Sequence, residues 1–158
     1  MLKEGTVEQL AHGVYRYAED DYLDEDCFRS ATLRVGNKSA ICMISALVFY
    51  DLIDEIPKKT WIMVPFQKRT SHKDLRTFRC RNPKWNIGIE QKTGYSITSI
   101  ERTLVEALVY KSKLGTALGV TALRKATRMK KTTLKAVMDV AISLDVTHRV
   151  RPYIEAIA

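Results

Sequence analysis

Few of the residues that build common metal and redox sites occur in this chain. Its 158 residues include three cysteines and three histidines, and these are scattered. A structural zinc site uses about four ligands, usually in close pairs such as Cys-x-x-Cys, and the sequence has no such pair. Cys27, Cys42 and Cys80 are odd in number and far apart. We therefore expect reduced thiols, with no disulfide, metal or cofactor.

Glycine is scarce as well, with seven residues in all. The chain has no glycine-rich phosphate loop, no Gly-x-Ser-x-Gly and no His-Glu-x-x-His, which are signatures of nucleotide, acyl-transfer and metalloprotease chemistry. These absences favour a protein that binds a partner and is not an enzyme.

Long apolar runs are also missing. The longest, from Ala40 to Tyr50, is interrupted by Ser45, whereas a membrane-spanning helix takes about 20 apolar residues. Residues 1–20 carry charges throughout and lack the apolar core of a secretory signal. We therefore expect a soluble, cytoplasmic protein without a membrane partner.

The composition allows a globular core, because 46% of the residues are hydrophobic. The predicted elements are strands mixed with helices first, and helices only afterwards. This order favours an α+β fold with a short mixed or antiparallel sheet, packed helices, a helical C-terminal part and an N-terminal wing-like β-hairpin.

In the first half, two short runs on either side of Gly13 predict the hairpin, and Asp24 is expected to cap the next helix. The run from Ser39 to Ile44 predicts a strand, with Ser45 as the N-cap of a helix. Runs of β-branched and aromatic residues indicate further strands. These are predicted at Thr60 to Pro65, Leu75 to Arg81, Trp85 to Glu90 and Tyr95 to Thr98.

Helices dominate the second half. Ser99 and Thr133 are predicted N-caps, and an apolar stripe that ends at Met129 predicts the inward face of a helix between them. A last helix is predicted from Val150 to Ile157.

Positive charge is the most uneven feature of the sequence. The net charge is +8, which favours polyanionic partners. The stretch from Lys68 to Lys84 has one acid, and the stretch from Lys111 to Lys135 has none. A solvated surface normally mixes both signs, so the two stretches together favour a nucleic-acid contact over a merely soluble face. The residues predicted to bind nucleic acid or a partner are Lys68, Arg69, Lys73, Arg76, Arg79, Arg81, Lys84, Arg124, Lys125, Arg128, Lys130 and Lys131.

Four aromatic residues lie near basic residues: Tyr15, Tyr17, Phe78 and Trp85. They are placed either to stack on bases or to pack in the core, and amphipathic aromatics more often pack. The sequence leaves both roles open.

A short Glu-x-Lys pattern offers an alternative function. Glu90 and Lys92 follow a predicted strand, and Asp74 lies upstream as a second carboxylate. A metal-dependent nuclease uses two acids that bind a metal ion and a lysine near the attacking water. The pattern is short and frequent by chance, so the nuclease is a rival hypothesis only.

Glu101 and Arg102 lie in the first turn of the helix predicted after Ser99. An arginine near a helix N-terminus opposes the macrodipole and usually has a carboxylate partner or reaches a neighbouring strand. We therefore interpret the two residues as a structural ion pair that fixes the helix on the sheet.

A series of short motifs runs along nearly the whole chain. They are Gly13-Val14-Tyr15-Arg16, Ser45-Ala46-Leu47, Val64-Pro65, Ser99-Ile100-Glu101-Arg102-Thr103-Leu104-Val105 and Arg149-Val150-Arg151-Pro152-Tyr153-Ile154-Glu155. In this order and at these spacings the chain resembles AbiEi-type antitoxins of type IV toxin–antitoxin and abortive-infection systems.

The resemblance implies two parts. Residues 1–20 would be the wing-like β-hairpin of a winged helix-turn-helix, and residues 21–158 an AbiEi-like antitoxin C-terminal α+β domain. In the family, the winged helix binds operator DNA and represses the operon, and the C-terminal domain counters a nucleotidyltransferase-like toxin. The family's recognition helices precede the wing, whereas this sequence begins at the wing.

The leading hypothesis is therefore an antitoxin-like DNA-binding transcriptional regulator that counters a nucleotidyltransferase-type toxin and represses its own operon. Lys3 and Arg16 on the wing are expected to touch backbone phosphates. A protein–protein interaction module that does not bind nucleic acid is the second rival. The sequence indicates no oligomeric state.

Overall fold

A computed structural model of the protein describes residues 7–11, 14–17 and 24–158, with side chains from residue 25 onward. Two strands, β1 (Val7–Ala11) and β2 (Val14–Tyr17), pair antiparallel as predicted. Their connection at residues 12–13 and the residues 18–23 that follow β2 lie outside the described part of the chain.

A five-stranded mixed sheet and its helices form the rest of the described chain, which confirms the predicted α+β class. The first part contains α1 (Asp24–Val35), β3 (Ala40–Ile41), α2 (Met43–Phe49), β4 (Thr60–Pro65), β5 (Leu75–Cys80), β6 (Ile89–Lys92) and β7 (Tyr95–Thr98). The helical part contains α3 (Ile100–Val109), α4 (Lys111–Leu114), α5 (Thr116–Arg128), α6 (Leu134–Ser143) and α7 (Thr147–Ile157).

The strand order in the sheet is β5-β4-β3-β7-β6. The pairs β4–β5 and β3–β7 are parallel, and β3–β4 and β6–β7 are antiparallel. The two-residue strand β3 is therefore central, while β5 and β6 form opposite edges. This placement decides which side chains can meet, because neighbouring strands are about 4.8 Å apart.

Helices cover both faces of the sheet. Phe28 and Val35 of α1 pack with Ile62 and Val64 of β4 on one face. Met63, between those two positions on the strand, belongs to a cluster on the opposite face, as strand alternation requires. On that face α3 is the central helix, and its apolar residues pack with α2, α5, α6 and α7 in the largest core cluster.

Two predicted caps are confirmed. Ser99 Oγ accepts a hydrogen bond from the Arg102 amide at the start of α3, and Thr133 Oγ1 accepts one from the Ala136 amide at the start of α6. Each side chain satisfies an amide that has no partner within its helix.

Several element predictions are wrong in detail. Helix α2 begins at Met43 with Cys42 as its N-cap, and the Ser45 hydroxyl instead accepts a hydrogen bond of 2.8 Å from the Trp61 amide. The predicted strand from Ser39 to Ile44 is shortened to β3, because its last two residues already belong to α2. Met129, predicted to face inward, is 47% exposed just after the end of α5.

The strand predicted from Trp85 to Glu90 also starts later than expected. Residues 85–88 form turns, and β6 starts at Ile89. Backbone carbonyls in this turn segment accept hydrogen bonds from Arg102 and are not paired in a strand ladder.

Candidate nucleic-acid interface at an open sheet edge

The edge strand β5 has no strand on its outer side in the described part of the chain. An open groove of about 340 Å³ lies near the C-terminal end of this strand, which we call the edge groove. Its walls are formed by Phe66, Thr77, Phe78, Arg79, Arg81, Tyr110 and Lys113.

One wall of the edge groove holds two stacked guanidinium groups. Because β4 and β5 are parallel, Pro65 and Cys80 lie level at the ends of the strands, and Phe66 follows directly. Arg79 and Arg81 are two residues apart and point the same way. Their Cζ atoms lie 4.4 and 4.7 Å from the centre of the Phe66 ring. The ring orders both stems by cation–π contact and leaves the guanidinium edges free to donate hydrogen bonds.

The other wall comes from the opposite face of β5 and from the end of α3. The Phe78 ring packs edge-on against Tyr110, with ring centres 4.8 Å apart. Lys113 Nζ lies 5.8 Å from the centre of the Phe78 ring. Burial raises the pKa of the Tyr110 hydroxyl above its ordinary value.

The edge groove has cations but no acid among the described residues that line it. Within the described ranges, no carboxylate lies in ion-pair range of Arg79, Arg81 or Lys113, whereas seven other cations have acidic partners. Unneutralised cations in a groove with low-dielectric walls concentrate positive potential there. The groove therefore suits a phosphate backbone or another polyanion.

The remaining predicted basic residues of the first stretch are spread around this edge. Lys68, Arg69 and Lys73 are exposed in the segment between β4 and β5. Arg76 is also exposed, and its Cζ lies 5.4 Å from the centre of the Trp61 ring. Lys84 is neutralised by Asp145, with 2.8 Å between the charged atoms.

The basic residues of the second predicted stretch, on and just after α5, fall into two groups. Arg124, Arg128 and Lys130 are exposed, and we call these three residues the α5 cluster. The other two predicted residues have partners in the fold. Lys125 Nζ lies 3.9 Å from Asp51 Oδ1, and Lys131 Nζ donates a hydrogen bond of 2.5 Å to the Tyr50 carbonyl.

The two basic stretches lie apart in the fold and do not form one continuous face. Thr132, just after the α5 cluster, donates a hydrogen bond of 2.6 Å to Glu101 in the first turn of α3. The edge groove uses Tyr110, the C-cap of the same helix. Ten residues of helix span about 15 Å, so the two groups of cations lie at opposite ends of α3.

Arg102 is buried, as a structural role predicts, but Glu101 is not its partner. Only 1% of the Arg102 side chain is exposed, and its Nε lies 3.4 Å from Glu106 Oε2. Its Nη1 donates hydrogen bonds of 2.9 and 2.6 Å to the carbonyls of Trp85 and Ile87. The residue thus ties α3 to the segment that precedes β6.

Gly88 allows this close approach. Its φ is +66°, and an added Cβ would lie 2.7 Å from Arg102 Cβ. Glu106 Oε1 is buried and has no hydrogen-bond partner within the described ranges. Burial raises the pKa of the Glu106 carboxyl, although Arg102 opposes this shift.

The three residues of the predicted nuclease set do not meet. Asp74 precedes the edge strand β5, while Glu90 and Lys92 lie on β6 at the opposite edge of the sheet. Four strand spacings separate these edges by about 19 Å, which is too far for one metal site. Asp74 is instead held by Arg34 through two hydrogen bonds of 2.7 Å, and Glu90 pairs with Lys92 at 3.3 Å.

Sequence reasoning missed the aromatic part of the site. It left Phe78 open between stacking and packing, and the structure shows it 8% exposed, with Trp85 packed partly buried against the same cluster. Phe66 and Tyr110 were not singled out, because only the parallel β4–β5 pairing and the end of α3 bring them together. Lys3 and the side chain of Arg16 lie outside the described residues.

Comparison with protein-family models gives no match, and comparison with curated proteins gives none either. No helix within the described ranges is long and apolar enough to cross a bilayer.

Proposed function

We propose that the protein binds nucleic acid through the edge groove and acts in the cytoplasm as an antitoxin-type, DNA-binding regulator that is not an enzyme. The observation that carries this proposal is the pair Arg79 and Arg81, which stack on one ring and have no acidic partner among the residues that the structure describes. Arginine held in this way is well suited to phosphate, because its planar fork can donate two parallel hydrogen bonds.

The resemblance to AbiEi-type antitoxins supports the regulatory part of the proposal. It implies operator DNA as one partner and a nucleotidyltransferase-like toxin as the other. The overall charge of +8 is consistent with DNA binding, because each phosphate that a cation neutralises releases counterions.

The direct test is binding to a duplex of about 30 base pairs across a salt series, since the slope of log K against log salt counts phosphate contacts. The variant Arg79→Glu/Arg81→Glu should bind at least about tenfold more weakly. Its slope should be shallower by about 2, because two contacts are lost.

A matched control is Lys58→Glu/Lys59→Glu, which makes the same change in net charge. These exposed lysines precede β4, at the other end of that strand from Phe66 and about 20 Å away. The control should bind with a slope close to that of the unmodified protein.

Equal losses in both variants would show that net charge, and not the edge groove, decides binding. Absent or salt-independent binding of the unmodified protein would overturn the proposal and favour an acidic protein partner. A candidate toxin would then be sought by co-purification.

A further inference from the structure

A second cleft lies between α1, α2 and the segment that leads into β4, away from the edge groove. It consists of two adjoining pockets of about 250 and 170 Å³. Both are lined by Cys27, Pro57, Lys59 and Thr60, so we treat them as one continuous cleft and call it the α1 cleft.

One half of the α1 cleft is cationic. Among the described residues, Arg34, Lys58 and Lys59 line it together with one acid, Asp74. The carboxylate of Asp74 is held by Arg34 through two hydrogen bonds of 2.7 Å. Arg34 and Asp74 therefore offset each other. The two lysines have no acidic partner in the described part of the chain, so the described lining of this half carries a charge of about +2.

The cationic half also contains a buried hydroxyl. Ser30 is 2% exposed and lines the pocket, and its Oγ has no hydrogen-bond partner among the described residues. Buried hydroxyls are normally satisfied, because an unpaired one costs about 1–3 kcal/mol. The Oγ is enclosed in its present rotamer, so donation to a ligand in this half requires rotation about χ1 to another staggered position.

The other half is apolar. Its lining includes Phe28, Val48, Ile56 and Pro57. Ile56 is 95% exposed, so its side chain contributes nothing to the core. An apolar or aromatic group placed here would remove that side chain from water.

We infer that the α1 cleft binds a small phosphate monoester with an apolar or aromatic body, such as a nucleoside monophosphate. The phosphate lies against Lys58, Lys59 and Ser30, and the body lies against Ile56 and Phe28. The site needs no glycine-rich loop, because side chains and not backbone amides supply the positive charge. The inference is independent of the proposed function, which rests on the edge groove.

The test is calorimetric titration of the full chain with adenosine monophosphate, adenosine and inorganic phosphate as three separate probes. The monophosphate should bind saturably and at least about tenfold more tightly than either fragment, because only it fills both halves. Absence of binding at millimolar concentration would overturn the inference, and so would phosphate alone binding as tightly.

Two variants locate the site. Lys58→Gln/Lys59→Gln changes only exposed side chains and should weaken monophosphate binding at least about tenfold. Arg79→Gln/Arg81→Gln makes the same change in net charge in the edge groove and should leave monophosphate binding unchanged. The opposite pattern would place the monophosphate in the edge groove and overturn the inference.

Ser30→Ala separates a ligand contact from a structural role. The change removes a hydroxyl with no partner in the part of the chain that the structure describes, so the urea midpoint should stay the same or rise. Monophosphate affinity should fall about threefold. An unchanged affinity would contradict the role of Ser30, and a lower midpoint would show that the hydroxyl is bound within the fold.

Discussion

Neighbouring residues on an α-helix point in different directions, whereas residues four apart share a face. Glu101 therefore points away from Arg102 and contacts Thr132, while Glu106 lies beside Arg102 in the core. The sequence predicted a buried ion pair from the cap at Ser99. It assigned the wrong glutamate, because adjacency in the chain was given more weight than the helical repeat.

The first prediction concerns the buried guanidinium. Arg102→Met should lower the free energy of unfolding by about 3–5 kcal/mol, because Glu106 loses its cation and carbonyls near Gly88 lose their donor. Arg102→Lys should have a free energy of unfolding between those of the unmodified protein and Arg102→Met, since an ammonium cannot reproduce the planar fork. Urea unfolding measures both. Arg124→Met on the exposed side of α5 is the control and should change stability by no more than about 0.5 kcal/mol.

The second prediction concerns pH. Burial raises the pKa of Glu106 in the folded state above its ordinary value of about 4.5. At pH values between the ordinary pKa and the raised pKa, the folded state therefore holds more protons than the unfolded state. Stability therefore falls as pH rises through this window and levels off above the folded pKa.

The measurement is urea unfolding across a pH series for the unmodified protein and for Glu106→Gln. The difference in stability between the two proteins isolates the titration of the Glu106 carboxyl, because both proteins share all other titratable groups. The unmodified protein should lose stability relative to the variant from pH about 4.5 upward. If the unmodified protein instead gained stability relative to the variant as the pH rises, Arg102 would outweigh burial and lower the pKa of Glu106.

Helices with a cap and a regular apolar stripe are predictable from local sequence, and α3 and α6 begin where Ser99 and Thr133 place them. Short strands are less predictable, because distant partners decide them. β3 has two residues yet is central, since β4 and β7 pair with it on both sides. Residues 85–88 have strand-like composition, but Arg102 uses two of their carbonyls.

The third prediction concerns the packing of α5 on α3. Gly119 lies inside α5, where alanine alone would raise stability by about 1 kcal/mol through helix propensity. An added Cβ, however, would lie 3.1 Å from the carbonyl carbon and oxygen of Ala107. Backbone atoms cannot move aside as a side-chain end can, so Gly119→Ala should lower the urea midpoint. A raised midpoint would show that the helices separate at little cost.

At the scale of the whole molecule, the sequence shows how much positive charge there is but not how it is divided. The excess of cations and its two stretches are visible in the chain, and so is the polyanion preference that they favour. The separation of the two stretches in space is not visible in the chain, because it depends on the course of α3 between Glu101 and Tyr110. Lys113 illustrates the difference, since it belongs to the second stretch in sequence but lies in the edge groove with Arg79.

The last prediction tests this division. If the edge groove and the α5 cluster contact different phosphates of a duplex of about 30 base pairs, their contributions are independent. Arg79→Glu/Arg81→Glu and Arg124→Glu/Arg128→Glu, combined in one protein, should then change the binding free energy by the sum of the separate changes, within about 0.5 kcal/mol. A moderate salt concentration limits long-range coupling, because the Debye length is about 8 Å at 0.15 M. Coupling above about 1 kcal/mol would mean that both groups contact the same phosphates, as one continuous basic face would require.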